Sequence, residues 1–180
     1  DYSDADVPPW AIKVILGPEE IEAYLTALFK EIEYCGQAMK DGNIFAESVY
    51  IGGGTPTTLT AEQLDLLLKK IEKCFDLSKT AEFTVEAGRP DTITKEKLDV
   101  LSAHKIQRIS INPQTMKDET LKIIGRDHDS QQIRDAFKMA VAGYDFLVNA
   151  DVIAGLPGEV LPVTREEGDL SSWGRLRWTT

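Results

Sequence analysis

The chain reads as an α/β domain in which parallel strands alternate with helices. Three observations predict this. Apolar and β-branched runs at 47–51, 82–86, 106–111 and 146–153 alternate with stretches whose apolar residues recur at helical spacing. Helical segments of about 10–15 residues between strands are what β-α-β units require. Each strand run also ends in a polar or glycine-rich element: Gly52-Gly53-Gly54-Thr55, Glu86, Asn112 to Gln114, and Asp151. Right-handed crossovers put the helices on one face or around a barrel, and parallel pairing puts those four ends on one edge. Folds of this kind build their ligand sites there.

Taken in order, residues 1–18 form an irregular arm rich in acids and containing Pro8, Pro9 and Pro18. A helix is predicted from Glu19 to about Met39, with Ile21, Tyr24, Leu25, Leu28, Phe29 and Ile32 on one face and Asp41-Gly42-Asn43 as its stop. After the strand at 47–51, Thr60 and Gln63 fit a capping box. Leu64, Leu67, Leu68, Ile71 and Phe75 come next as that helix's apolar face. Beyond the strand at 82–86, Thr94 caps a helix carrying Leu98 and Leu101. A third strand spans 106–111, and a short helix near 117–124 stops at Gly125. Ser130 is expected to cap a helix carrying Ile133, Ala136, Phe137 and Val141 and closed by Gly143, before the fourth strand at 146–153. The domain is therefore placed at 19–159. Periodicity fades beyond Glu159, so 160–180 reads as a low-order or foreign tail without helix or strand.

The net charge of −10 argues against a general binder of nucleic acid or anionic membrane, which needs clustered Lys and Arg. A small anionic ligand held by one or two arginines stays compatible with it. The two cysteines, Cys35 and Cys74, fall on or near helical apolar stripes and read as small buried hydrophobes. So few cysteines suit a reducing compartment. With no signal peptide and no apolar run near 18 residues, a soluble cytoplasmic protein is expected.

Three successive glycines leave the backbone N–H and C=O groups open to a ligand. They are one of five segments that carry a likeness to a known family: Tyr50-Ile-Gly-Gly-Gly-Thr-Pro56, Glu86-Ala-Gly-Arg-Pro-Asp91, Ser110-Ile-Asn-Pro-Gln-Thr-Met116, Gly125-Arg-Asp-His128 and Asn149-Ala-Asp-Val-Ile-Ala-Gly-Leu-Pro-Gly158. In this order they resemble the radical S-adenosylmethionine enzymes of the oxygen-independent coproporphyrinogen III oxidase group. The wording is most similar to the coproporphyrinogen dehydrogenase branch.

That resemblance, over residues 20–159, implies a partial (β/α) barrel and two cofactors, S-adenosylmethionine and a four-iron, four-sulfur cluster. It implies that Gly52, Gly53, Gly54 and Thr55 meet the methionine end of S-adenosylmethionine through backbone atoms. Glu86 would accept from the ribose hydroxyls or the ammonium, or else be a surface acid. Gln114 would serve the ribose, or else a turn. Arg126 would pair the methionine carboxylate through its planar fork, or else lie solvated. Asp151 would bind ribose, hold Arg126, or form a structural ion pair. His128 is expected near substrate or, more simply, exposed; His104 falls on the opposite edge and receives no role. No side chain is assigned as catalytic, and none as a metal ligand.

The family's C-x-x-x-C-x-x-C motif, whose thiolates hold the cluster, does not occur in the sequence. Neither does the strand preceding it, and the run after Glu159 departs from the family's pattern. Four strands alone would leave two open edges, so association or poor solubility is expected. No radical chemistry is expected from these residues alone. The sequence supports three functional readings. The first is an enzyme acting on a porphyrinogen with a reductant protein as partner. The second is a binding module like the related haem chaperones. The third is an inactive fragment.

Overall fold

The structure, a computed structural model, describes residues 17–159 and the backbone of residues 176–178. The elements are α1 (Pro18–Asp41), β1 (Ser48–Ile51), α2 (Ala61–Cys74), β2 (Glu82–Glu86), α3 (Lys95–Ala103), β3 (Arg108–Gln114), α4 (Asp118–Ile123), α5 (Ser130–Val141), β4 (Leu147–Val152) and β5 (Leu176–Trp178). The strands form one parallel sheet in the order β1-β2-β3-β4-β5.

Register divides the sheet into two chemically different faces. Ile51, Val85, Ile109 and Val148 lie side by side across β1 to β4, with Ile111 and Ala150 in the next row. These residues share one core with Leu64, Leu67, Leu68 and Ile71 of α2, Leu98 and Leu101 of α3, and Ile133, Ala136, Phe137 and Ala140 of α5. The other face carries Tyr50, Glu82, Thr84, Glu86, Arg108, Ser110, Asn149 and Asp151. Alternation of this kind places helices on one face and leaves the other for polar groups, as the interior of a barrel segment requires.

Local signals explain most boundaries. The Thr60–Gln63 capping box starts α2 as expected, with the Gln63 N–H donating to Thr60 Oγ1 at 3.2 Å and Thr60 N–H to Gln63 Oε1 at 3.0 Å. Thr94 caps α3 by accepting from Lys97 N–H at 3.4 Å. The cap of α5 is Asp129, one residue before the expected Ser130. Its carboxylate accepts from Gln132 N–H at 2.8 Å, while Ser130 N–H is drawn to Asp118 Oδ1 at 2.7 Å. Strand β3 begins later than expected, because Ile106 N–H closes the end of α3 on the Leu101 carbonyl and Lys105 adopts a positive φ of 54°. It also runs further, through Pro113 to Gln114, with a register irregularity between Ile111 and Gln114.

Three other expectations change. Pro18 already belongs to α1, while 1–16 lie outside the described residues. Cys35 is exposed and Cys74 only half-buried, because α1 turns Leu25, Ile32 and Gly36 inward instead. Within 160–180, where no strand is expected, β5 pairs with β4 in the register Val148↔Leu176 to Ala150↔Trp178. Three residues are too few to show a period, whereas the exposed N–H and C=O groups of β4 offer a template. The rest of the tail lies outside the described residues.

Candidate functional site at the carboxyl edge of the sheet

At the end of β1 the chain enters Gly52-Gly53-Gly54-Thr55 and then a tight turn over Pro56–Thr58. Gly53 has φ +107°, a conformation that disfavours any side chain. Gly52 is glycine for a different reason: a Cβ there would overlap Cε1 of Tyr50 and come within 3.1 Å of the Glu86 carboxyl carbon. At Gly53 and Gly54 a Cβ would meet nothing within 4 Å, so open space lies over this backbone.

The loop is held from below. Lys97 of α3 donates to the Thr57 carbonyl at 2.6 Å and the Thr92 carbonyl at 3.0 Å, and the Thr57 and Thr92 hydroxyls meet at 2.6 Å. Burial lowers the Lys97 pKa, since the ammonium has left bulk water for these carbonyls. The turn after β1 and the turn after β2 (Pro90–Thr92) are thereby clamped together.

Glu86 ends β2 and accepts a hydrogen bond from the Tyr50 hydroxyl. Burial, then the Glu86 bond, then the Glu86 and Asp151 charges push the Tyr50 phenol up to about 12. Ser110, beside Glu86 in register, has its single hydroxyl hydrogen within reach of Asn112 Oδ1 at 2.9 Å and, more weakly, Asp151 Oδ2 at 3.4 Å. Asn149 Nδ2 donates to Asp151 Oδ1 at 3.2 Å. At the start of β3, Arg108 spans the polar face from Glu82 (2.6 Å) to Asn149 (3.1 Å).

Gln114 ends β3 with φ +65°, rare for a residue with a side chain. Its Oε1 accepts from Arg126 Nε at 2.8 Å, and its carbonyl accepts from Ile153 N–H at 2.9 Å. In the turn after β2, Arg89 binds Asp91 through Nε (3.2 Å) and a terminal nitrogen (3.0 Å), and reaches Asp127 at 3.6 Å. His128 is not exposed as its sequence position suggests: it is 4% accessible, and its Nε2 has no hydrogen-bond partner. Burial first, with Arg126 and Arg89 adding to it, lowers its pKa against the opposing pull of Asp91 and Asp127.

Gly52, Gly53, Gly54 and Thr55 therefore lie in the loop leaving β1, Glu86 and Gln114 end β2 and β3, Asp151 is the penultimate residue of β4, and Arg126 lies in the loop between α4 and α5. A direct hydrogen bond joins Gln114 with Arg126, and Gly52 lies close enough to Glu86 that a Cβ there would stand 3.1 Å from its carboxyl carbon. Residues that sequence reasoning passed over are Tyr50, Lys97, Thr57 and Thr92, linked across 35 to 40 positions by the Tyr50–Glu86, Thr57–Thr92 and Lys97–Thr57 hydrogen bonds. His104, on the opposite edge, has a structural partner on each ring nitrogen: Glu72 at Nδ1 (2.8 Å) and Asp65 at Nε2 (2.9 Å).

The Radical SAM superfamily model matches residues 16–161. The chain belongs to the radical SAM superfamily. Among radical SAM relatives, it is 42% identical over 153 residues to the oxygen-independent coproporphyrinogen-III oxidase-like protein HemZ of Bacillus subtilis, covering 84% of this chain and 30% of that protein. It is 35% identical to the haem chaperone HemW of Lactococcus lactis, over 86% of this chain and 39% of that protein. Among solved structures it resembles the radical SAM enzyme coproporphyrinogen III oxidase (HemN) of Escherichia coli, with a TM-score of 0.71 and 27% identity over 82% of this chain and 33% of that one. The chain thus spans between 30% and 39% of the length of these proteins. The parallel sheet with alternating helices is part of the HemN radical SAM fold.

Membership of the radical SAM superfamily implies S-adenosylmethionine and a four-iron, four-sulfur cluster. The residues fit the first. The backbone at Gly53 and Gly54 is open, and acceptors and an arginine share the edge. They do not fit the second. Cys35 lies on α1 and Cys74 at the end of α2, and among the described residues no group of three His, Cys, Asp or Glu could hold a metal ion. No helix among the described residues is long and apolar enough to cross a membrane.

Proposed function

We propose that this chain is the S-adenosylmethionine-binding part of an enzyme that oxidatively decarboxylates coproporphyrinogen III to protoporphyrinogen IX in the cytoplasm. The observation that carries the reading is the convergence on one sheet edge of open glycine backbone, two carboxylates and an arginine. A zwitterionic amino-acid end needs carbonyl or carboxylate acceptors for its ammonium and a planar fork for its carboxylate. Glu86 and Asp151 supply acceptors, and Arg126 the fork. The 42% identity to an oxidase-like protein supports the porphyrinogen as substrate. When bound, S-adenosylmethionine supplies the radical chemistry of the superfamily. The chain's own residues bind it, orient it and limit its access to water. A reductant protein completes the set of partners.

The test is anaerobic incubation of the native gene product with coproporphyrinogen III, S-adenosylmethionine and a reductant. The expected outcome is loss of two propionate carboxyl groups as carbon dioxide, with protoporphyrinogen IX as product. A second reading, a haem chaperone, is supported by the 35% identity to HemW. Haem binding and transfer with no decarboxylation would establish it in place of the first.

A further inference from the structure

Tyr50 approaches the site from the strand, not from the glycine loop. It lies on the polar face of β1, in register with Thr84, and keeps 60% of its surface exposed. An exposed aromatic side chain is ordinarily mobile, but this one is held at both ends. Its hydroxyl donates to Oε1 of Glu86, and its ring lies so close over Gly52 that a Cβ there would overlap Cε1 and displace it. The Gly52 Cβ position is also 3.1 Å from the Glu86 carboxyl carbon. Ring, glycine and carboxylate therefore form a single packed unit at the mouth of the site.

We infer that Tyr50 is a positioning residue for S-adenosylmethionine, holding the Glu86 carboxylate so that its second oxygen meets the donors of the ligand. The inference rests on the proposal that this edge binds S-adenosylmethionine. A glutamate side chain has several rotamers, and ordering it during binding costs conformational entropy that prior ordering removes. A carboxylate offers about four lone-pair directions, so one phenol bond leaves Oε2 available. The phenol cannot ionise and repel Glu86 near neutral pH, because its pKa stands at about 12. Tyr50 is thus a permanent donor to a group that can only accept. Phenylalanine at this position would keep the ring over Gly52 and lose the orientation of Glu86.

The test titrates S-adenosylmethionine into the native gene product and its Y50F, E86Q and Y50F/E86Q variants, by equilibrium dialysis or ligand-observed NMR, with thermal melts alongside. The expected result is a dissociation constant raised about three- to tenfold in Y50F, the loss of one charge-assisted hydrogen bond's ordering. The melting temperature stays unchanged, since phenylalanine keeps the ring and Tyr50 is 60% exposed. In the E86Q background the same change has no further effect. Binding by Y50F as tight as, or tighter than, the unaltered chain overturns the inference. So does an equal penalty with and without Glu86, which would mean that Tyr50 acts on the fold. Should Y50F melt lower, this coupling with E86Q still decides between the two. An unaltered chain that fails to bind S-adenosylmethionine at millimolar concentration removes the underlying reading, and the inference with it. Normal binding without a Y50F effect removes the inference alone.

Discussion

Arg126 donates its Nε–H to Gln114 Oε1 across 2.8 Å, joining the end of β3 to the loop that follows α4. The contact fixes the orientation of a planar cation at the edge where the glycine loop opens. Gln114 holds its own position at φ +65°, which the bonds to Arg126 and Ile153 help to maintain.

Removing that cation should affect the ligand more than the fold. Arg126→Ala is expected to weaken S-adenosylmethionine binding by about 1.5–3 kcal/mol, the range for hydrogen bonds to charged groups. Gln114→Ala should cost less, about 0.5–1.5 kcal/mol, because it loosens Arg126 without deleting it. Dissociation constants for the two variants check the order, and a larger effect for Gln114→Ala would contradict it.

Gly52 and Gly54 should respond oppositely to the same methyl group. A Cβ at position 52 must push the Tyr50 ring aside and break its bond to Glu86, whereas one at position 54 enters open space. Gly52→Ala is expected to return one phenol titration from about 12 towards the ordinary value near 10, readable by ultraviolet absorbance. Gly54→Ala should leave that titration as it is.

Gly36 on α1 faces the backbone of α2, and a Cβ there would lie 2.5 Å from the Cys74 carbonyl oxygen. Helix propensity favours alanine over glycine by about 1 kcal/mol. Forcing two helices apart costs typically about 1–3 kcal/mol. Gly36→Ala is therefore expected to destabilise the chain by up to about 2 kcal/mol in urea unfolding. A stabilised variant would show that α1 can move away freely.

The His104 link between α2 and α3 should be sensitive to pH. Each ring nitrogen faces a carboxylate, and carboxylates only accept, so both must carry hydrogen. Burial pulls the His104 pKa down, but the bonds and charges of Asp65 and Glu72 outweigh it and raise the pKa above 6.5. A raised folded-state value means stabilisation that is fully present below the unfolded imidazole value of about 6.5 and is lost as pH rises through the higher folded value. Lys69, paired with Asp65 at 2.7 Å, is the cation sharing that carboxylate. The difference in urea midpoint between the native chain and His104→Gln should be greatest near pH ~5.5 and shrink as pH rises towards ~8.5. A difference that grew with pH would reverse the assignment of charge.

The sequence by itself determined the alternation of strands and helices, the bounds of β2, the capping box of α2 and the edge on which the glycine loop, Glu86, Gln114 and Asp151 meet. All of these are encoded within a few residues, by apolar period or by a cap reaching three positions along the chain. Parallel register then carries the strand ends to a common edge without any further information. Only the tertiary structure decided that Tyr50 meets Glu86, that Lys97 clamps two turns, that His104 bridges two carboxylates, and that His128 is buried. It also moved the α5 cap from Ser130 to Asp129, through the bond from Ser130 N–H to Asp118. Cys35 stayed outside for the same kind of reason: the period marks a stripe on α1, but only packing against α2 selects Gly36 as its centre. Such pairings join residues 12 to 40 positions apart, and no local pattern records which side chains the fold will bring within hydrogen-bond distance.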